Sequence, residues 1–289
     1  MTPARAGLVA LLGVIVLAPD ALLIKTMGLP APVILFWRGV MQFAVVTGAL
    51  ILIKRGRLWP EMRAAGWLGV GYCVTFGFSA SGFVFAASHT TVANTLFLVA
   101  TSPVWAAIIG WIFLGERITW RVQLTILAVL IGIGLIAVES AGGEGVWYGD
   151  LAALICAFSL AVALTITRAA KGVSFVPMTG GAGVVIAFCG IAMGGLALPT
   201  PEALPKLLLM GMIIVPVSFS LITIAARYLV PAETSLILLL EAPFGLFVVW
   251  LMLGDAPGPL ALLGGMIVLA AIGALNISRL IRTRRSFQP

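Results

Sequence analysis

Three ionisable side chains stand inside long apolar stretches of this sequence. Glu241 lies two residues before Pro243, Asp20 lies near the end of the first stretch, and Arg38 lies within the second. A charged side chain at the centre of a bilayer costs roughly 2.5–3.5 kcal/mol on insertion scales, so such residues normally face a cavity or a partner. Glu241 is therefore a candidate to bind an ammonium group or to carry a proton. The alternative is a protonated or paired Glu that holds a helix break at Pro243.

Asp20 has two candidate partners for an ion pair. The uninterrupted apolar run before it, 6–18, is too short to cross a membrane, so Asp20 must lie within the membrane zone. It can pair with Lys25 or with Arg38. Such a pair is either an outer gate that breaks on opening or a static pair that neutralises two costly charges.

Polar residues in the fourth apolar stretch recur at helical spacing and are predicted to share one helix face. The stripe consists of Asn94, Leu98, Thr101, Ser102 and Trp105. One interpretation is hydrogen bonding to a small polar ligand, with Trp105 stacking on it. The other is that the hydroxyl groups bond carbonyls of their own helix, especially near Pro103, which leaves one carbonyl without its usual donor.

Serine and phenylalanine residues recur at matching depth in the third and eighth stretches. Ser79 and Phe83 are four residues apart, hence on one helix face, and Phe219 and Ser220 stand in the later stretch. Aromatic side chains around a cavity would suit an apolar or aromatic ligand through buried area and offset stacking. Small residues also let membrane helices approach closely. The sequence leaves both interpretations open.

The composition identifies the environment of these side chains. Hydrophobic residues make up 62% of the 289 residues and charged residues 9%, with a mean hydropathy of +1.19. Because a soluble domain carries roughly 25% charged and 45–50% apolar residues, the chain is predicted to be an all-α integral membrane protein. A water-soluble enzyme, a secreted disulfide scaffold and a nucleic-acid binder are excluded, despite the net charge of +7. Cys73, Cys156 and Cys189 lie far apart in apolar runs and indicate no disulfide, metal or cofactor.

Ten apolar stretches are long enough to cross a bilayer as helices, at about 20 residues each. They run near residues 6–25, 33–53, 64–86, 92–114, 119–138, 148–168, 176–197, 206–226, 232–253 and 259–280. With ten spans, fourteen of the 17 Lys and Arg residues fall on one side of the membrane, whereas Lys25 and Lys206 fall on the other. This asymmetry predicts that both termini are cytoplasmic and that the chain lies in the cell (inner) membrane.

A shift of 139 residues aligns the second half of the chain with the first. The Leu-Gly-acid tripeptide at 114–116 falls on the one at 253–255, and Ser102 falls on Glu241. Self-similarity over this distance indicates a duplication.

The predicted halves, 1–141 and 145–289, hold five spans each. Because five is odd, the second half must enter the membrane from the opposite side, and the two halves are inverted. Inverted halves provide one inward-open and one outward-open arrangement around a site near the midplane. The fold prediction is therefore ten transmembrane helices in two inverted five-helix repeats.

The aligned blocks resemble the drug/metabolite transporter superfamily, specifically its ten-helix, EamA-type members. The resemblance lies in the run from 93 to 119 with 132–134, and in the run from 232 to 255 with 264–273. It covers almost the whole chain and implies an exporter of amino acids or related metabolites, with helices 3, 4, 8 and 9 lining a central cavity. Within the superfamily the chain is most similar to the aromatic amino-acid exporter group. Asp255 departs from the Glu-Arg pattern of the first block.

The residues and the resemblance together predict a carrier of a small molecule such as an amino acid, working by alternating access in the lipid bilayer. No phosphate-binding loop is present, which excludes ATP-driven transport, and no metalloprotease or hydrolase motif is present, which argues against an enzyme. The alternatives are a multidrug or other metabolite carrier of the same fold, a passive channel, or an intramembrane lipid-processing protein. The oligomeric state is left open. The candidate substrate-binding residues are Glu241, Ser102, Thr101, Asn94, Ser79, Phe83, Trp105, Phe219 and Ser220, and the gating or ion-pair residues are Asp20, Lys25 and Arg38.

Overall fold

The computed structural model describes residues 3–54, 58–115, 119–142, 147–170, 173, 175–226, 228, 237–254 and 256–286, and all regular structure in those ranges is helical. Eight helical segments are long and apolar enough to cross a membrane. Two shorter apolar helices, Val176–Ala192 and Ile237–Leu253, accompany them. The prediction of an all-α membrane protein is therefore confirmed.

The helices follow one another along the chain with short connections. They are α1 (Pro3–Leu17), α2 (Asp20–Thr26), α3 (Ala31–Lys54), α4 (Leu58–His89, with Gly66 non-helical), α5 (Val92–Val99), α6 (Ser102–Leu114), α7 (Trp120–Gly142), α8 (Trp147–Ala169), α9 (Val176–Ala192), α10 (Leu204–Leu208), a π-helical turn (Leu209–Ile214), α11 (Val215–Ala226), α12 (Glu241–Leu253) and α13 (Pro259–Ser286).

Most helix bounds agree with the spans predicted from the sequence, with two differences. The seventh predicted span, 176–197, is too long: α9 ends at Ala192, because Gly194 adopts a left-handed φ of +86° that stops the helix. The predicted spans 6–25 and 92–114 each consist of two helices instead of one.

The outer faces of the helices are apolar, the reverse of a water-soluble protein. Leu52, Ile53 and Phe113 are each more than three-quarters exposed. Because a helix satisfies its own backbone N–H and C=O groups, such a face can contact hydrocarbon without leaving polar groups unpaired. These faces are suited to lipid.

Two spans are broken at matching positions. α6 begins at Ser102 after the break that follows α5, and α12 begins at Glu241 after a turn at Leu240. Thr101 and Leu240, the N-cap residues of α6 and α12, are 139 residues apart, the shift that aligns the two halves of the sequence. A proline stands in the first turn of each helix, where its fixed φ favours a helix start and its missing N–H interrupts the preceding helix.

The repeated Leu-Gly-acid tripeptide ends the helices that begin at these breaks. Gly115 caps α6 with φ +65°, and Gly254 caps α12 with φ +67°. Glycine adopts this left-handed conformation without strain, which is why it commonly follows the last helical residue. The repeated glycine thus has a structural role. The acidic residues Glu116 and Asp255 lie outside the described residues.

Five helix pairings dominate the packing: α3 with α9, α4 with α8, α7 with α13, α4 with α9, and α1 with α11. Glycines allow two of these pairs to approach at backbone distance. Gly39 lies against Gly183 and Ala187, and Gly132 lies against Gly264. Each of the five pairs joins a helix of the first half of the chain to one of the second half, so the protein interior lies between the halves.

Candidate functional site

Asp20 and Arg38 form a buried ion pair at the start of α2. Arg38 Nη1 lies 3.1 Å from Asp20 Oδ1 and 3.0 Å from Oδ2, and both side chains are almost fully buried. Asp20 takes this place because the chain turns at Ala18-Pro19, and a carboxylate at the first residue of a helix is favoured by the helix dipole. Of the two partners that the sequence left open for Asp20, the structure has Arg38.

Lys25 lies apart from this pair. It is exposed, and its Nζ donates to the backbone carbonyl of Thr90 at 3.2 Å. Lys206 makes an equivalent contact, donating to the carbonyl of Thr26 at 2.7 Å. Both lysines therefore compensate helix C-terminal carbonyls, where positive charge is favoured. The prediction that Lys25 can pair with Asp20 is wrong, because Arg38 occupies both carboxylate oxygens from inside the protein.

Arg38 has hydrogen-bonding capacity beyond the ion pair. Nη1 also lies 3.7 Å from the sulfur of Met210, in the π-helical turn. Nε has no hydrogen-bond partner among the described residues. A buried N–H group without an acceptor is rare in folded proteins.

Glu241 is the first residue of α12, which packs against α2, the helix that begins at Asp20 of the ion pair. It is half-buried and forms no ion pair within the described part of the chain. The N-terminus of α12 carries a positive partial charge that favours a carboxylate there.

Ser79 of α4 contacts α8 at Cys156. The Ser79 hydroxyl lies 3.4 Å from the Cys156 sulfur, and Phe83 and Cys156 belong to one buried cluster of side chains. The structure therefore brings Ser79 and Phe83 together where α4 packs against α8.

The polar stripe predicted in the fourth span is divided by the helix break. Thr101 Oγ1 donates to the carbonyl of Leu98 at 2.6 Å, and Trp105 Nε1 donates to Thr101 Oγ1 at 3.2 Å. Ser102 is buried as the first residue of α6. The prediction of one continuous helix face is therefore wrong, because α5 and α6 are separate helices and Thr101 bonds locally.

Asn94 belongs to a different polar cluster, at the start of α5. Thr90 Oγ1 donates to Asp150 Oδ1 at 2.6 Å, and Asn94 Nδ2 lies 3.3 Å from the same oxygen. The Thr91 hydroxyl accepts from the Asn94 backbone N–H at 3.1 Å, as an N-cap residue does. The cluster ties α4, α5 and α8 together beside the carbonyl that Lys25 contacts.

Four aromatic side chains pack in sequence beside the site. Phe219 meets Phe76 edge-on at 5.3 Å between ring centroids, Phe76 stacks on Tyr72 at 5.4 Å, and Tyr72 meets Phe175 at 5.2 Å. Phe219 was expected from the sequence, whereas Tyr72, Phe76 and Phe175 were not. Aromatic residues are frequent along every span, so nothing in the sequence distinguishes these three.

A narrow, mainly apolar cleft opens beside Phe219. It is lined by Gln42, Val46, Val176, Thr179, Val215, Pro216, Phe219 and Ser220, and its volume is about 10 Å³, room for about one water molecule. Gln42 Nε2 donates to the Thr179 carbonyl at 2.9 Å, and Ser220 Oγ donates to the Pro216 carbonyl at 2.6 Å. An amino-acid-sized molecule would need the helices around this cleft to move apart.

The described residues hold no cluster of three or more His, Cys, Asp or Glu side chains that could bind a metal ion.

Comparison with known proteins places this geometry in context. Residues 4–138 match the EamA-like transporter family. A protein of Streptantibioticus cattleyicolor, described as a probable terminal-alkyne amino-acid exporter, is 28% identical over 209 residues, which cover 70% of this chain and 69% of that protein. A crystal structure of another protein matches the fold with a TM-score of 0.65 at 16% identity, over 94% of this chain and 96% of the other.

Proposed function

We propose that the chain, whose residues 4–138 match the EamA-like transporter family, exports amino acids with aromatic or apolar side chains. The family and the exporter relative are membrane transporters, so the chain is a multi-pass membrane transporter and not an enzyme. The resemblance noted in the sequence is thereby confirmed. The proposed mechanism is alternating access around a site near the midplane of the cell (inner) membrane, lined by the third, fourth, eighth and ninth spans. These spans contain α4, α5 with α6, α11 and α12, respectively.

Charged groups at the starts of two helices are the main support for this function. Asp20 begins α2 and is neutralised by Arg38, and Glu241 begins α12, which packs against α2. The three charges sum to a negative site when Glu241 is ionised. Such a site attracts the ammonium group that every free amino acid carries, and an intramembrane carboxylate with no permanent partner is typical of a substrate or ion pathway.

The packing supports two inverted repeats, 1–141 and 145–289. A pseudo-two-fold axis that exchanges span n with span n + 5 pairs span 2 with span 7 and span 5 with span 10. The same axis makes the pairing of span 3 with span 6 equivalent to the pairing of span 8 with span 1. Four of the five dominant pairings, α3–α9, α7–α13, α4–α8 and α1–α11, are these, and α4–α9 is the fifth. The breaks before Ser102 and Glu241, 139 residues apart, follow the same symmetry. Both termini are then cytoplasmic.

Each side chain of the site has a proposed role. Glu241 binds the substrate ammonium group, with Ser79, Ser102 and Thr101 as nearby polar contacts. Phe83 and Phe219 contact the substrate side chain. Trp105 stacks on the substrate, and Asn94 and Ser220 become polar contacts once the helices separate. The Asp20–Arg38 pair acts as a gate, and Lys25 forms a contact that closes the outer side.

The amino-acid substrate is supported by the name of the Streptantibioticus relative, a probable terminal-alkyne amino-acid exporter. An aromatic or apolar side chain is supported by the row of rings that ends at Phe219. Buried aromatic rings favour apolar partners through area and offset stacking.

A competition panel in proteoliposomes tests this substrate class. We expect unlabelled phenylalanine, tryptophan and leucine to inhibit saturable exchange of labelled phenylalanine at concentrations at least about tenfold lower than glycine or serine. A tenfold preference corresponds to burial of about two methylene groups. Better inhibition by nucleosides or quaternary amines would instead indicate a general metabolite or multidrug carrier. Flux that does not saturate would indicate a channel.

A further inference from the structure

One N–H donor of the Arg38 guanidinium group, Nε–H, is unpaired among the described residues. Asp20 is held through Nη1, whereas Nε has no partner among the described residues although the side chain is only 3% exposed. Buried donors in folded proteins are almost always hydrogen-bonded. An arginine binds a carboxylate most strongly when two parallel N–H groups share its two oxygens. The Nε–H group is therefore available to an acceptor that the described residues of the protein do not supply.

The shape of the guanidinium group identifies that acceptor. Nε–H and one N–H of Nη2 point in parallel from one edge of the plane, and Nη1 lies outside that edge. Asp20 contacts Nη1 with both oxygens, at 3.1 Å and 3.0 Å. The Nε edge can therefore receive a second carboxylate without displacing Asp20. A planar anion with two oxygens fits this edge in the fork geometry that arginine favours.

We infer that Arg38 binds the α-carboxylate of the substrate through its Nε edge, while Glu241 binds the ammonium group. The inference rests on the proposed function, because it names which group of the amino acid each charge of the site recognises. The helix that begins at Glu241 packs against α2, whose first residue holds Arg38, so a zwitterion placed between Glu241 and Arg38 meets the complementary charge at each end. An amine without a carboxylate leaves the buried Nε–H unpaired, and the site discriminates against it.

Carboxylate recognition is tested with analogues that differ from phenylalanine at one group. Wild-type protein in liposomes exchanges labelled phenylalanine, and phenylalanine amide and phenethylamine compete for it. We expect both analogues to bind at least about tenfold more weakly than phenylalanine, because a site built to bond a substrate group rejects the molecule that lacks it. Phenylalanine exchange with equal competition by both analogues would overturn this inference alone. Absence of saturable phenylalanine exchange would overturn the proposed function as well.

A double variant assigns the discrimination to Arg38. Arg38→Met combined with Asp20→Asn removes both charges of the pair, so no buried charge is left without a partner. We expect the ratio of phenylalanine to phenethylamine affinity to fall to near one. The same substitution at an exposed arginine, Arg121→Met, serves as the control and leaves the ratio as in wild type. If Nε binds only a water molecule and not the substrate, the ratio of phenylalanine to phenethylamine affinity stays unchanged in the double variant. That result would refute the assignment.

Discussion

Glu241→Gln is expected to lower phenylalanine exchange by about 10- to 100-fold while leaving the protein folded. A hydrogen bond to a charged group contributes about 1.5–3 kcal/mol, and 1.4 kcal/mol is a factor of ten in affinity. Gln has the size and shape of Glu but cannot offer a negative charge to an ammonium group. Initial rates of exchange at sub-saturating phenylalanine in proteoliposomes, normalised to inserted protein, measure the effect.

Two properties of Glu241 make the expected result specific to transport. It is half-buried and forms no ion pair within the described part of the chain, so the neutral isostere leaves no charge stranded. The matched control is Glu202→Gln, which removes the same charge from an exposed residue between α9 and α10. Wild-type exchange by the Glu241 variant, with the control also unaffected, would remove Glu241 from the mechanism.

Breaking the Asp20–Arg38 pair is expected to have the largest effect on stability. Arg38→Met leaves the Asp20 carboxylate buried without its cation, and removal of one partner of a buried pair costs about 3–5 kcal/mol. The double variant Asp20→Asn with Arg38→Met leaves no buried charge and is expected to regain most of the loss. Thermal unfolding of the three proteins in detergent, followed by tryptophan fluorescence, measures both changes.

The comparison between the single and double variants separates two explanations for the pair. If the interaction between the charges matters, the single variant unfolds at a clearly lower temperature than the double variant. If Arg38 matters only through its packing against Met210, the two variants lose stability equally. Equal losses would show that the ion pair does not hold α2 against α3.

The hydropathy pattern predicts the extent of most helices well because lipid demands long apolar stretches with internal hydrogen bonds. It places the start of the fourth span at residue 92, where α5 begins at Val92. It is less informative about breaks. Pro103 and the neighbouring turn divide that span into α5 and α6, and the division shows in the sequence only as one proline within an otherwise apolar run.

The partners of polar side chains were harder to predict from sequence. In water-soluble proteins a polar face marks the solvent side of a helix, whereas in lipid almost every face is apolar, so periodicity carries little information about orientation. The contact of Asn94 with Asp150 joins residues 56 positions apart. The approach of Ser79 to Cys156 spans 77 positions. Neither has a local spacing signal. The intramembrane charges Asp20, Arg38 and Glu241 could be identified because their cost in lipid is independent of tertiary context.

Orientation mapping of three positions tests the inverted architecture most directly. Reporters that are active on only one face of the membrane are placed at the N-terminus, between α7 and α8, and at the C-terminus. Two halves of opposite orientation, with five spans each, predict that both termini are cytoplasmic and that the connection between the halves is external. Termini on opposite faces, or a connection on the same face as both of them, would contradict the inverted repeat. The alternating-access mechanism would then have no structural basis.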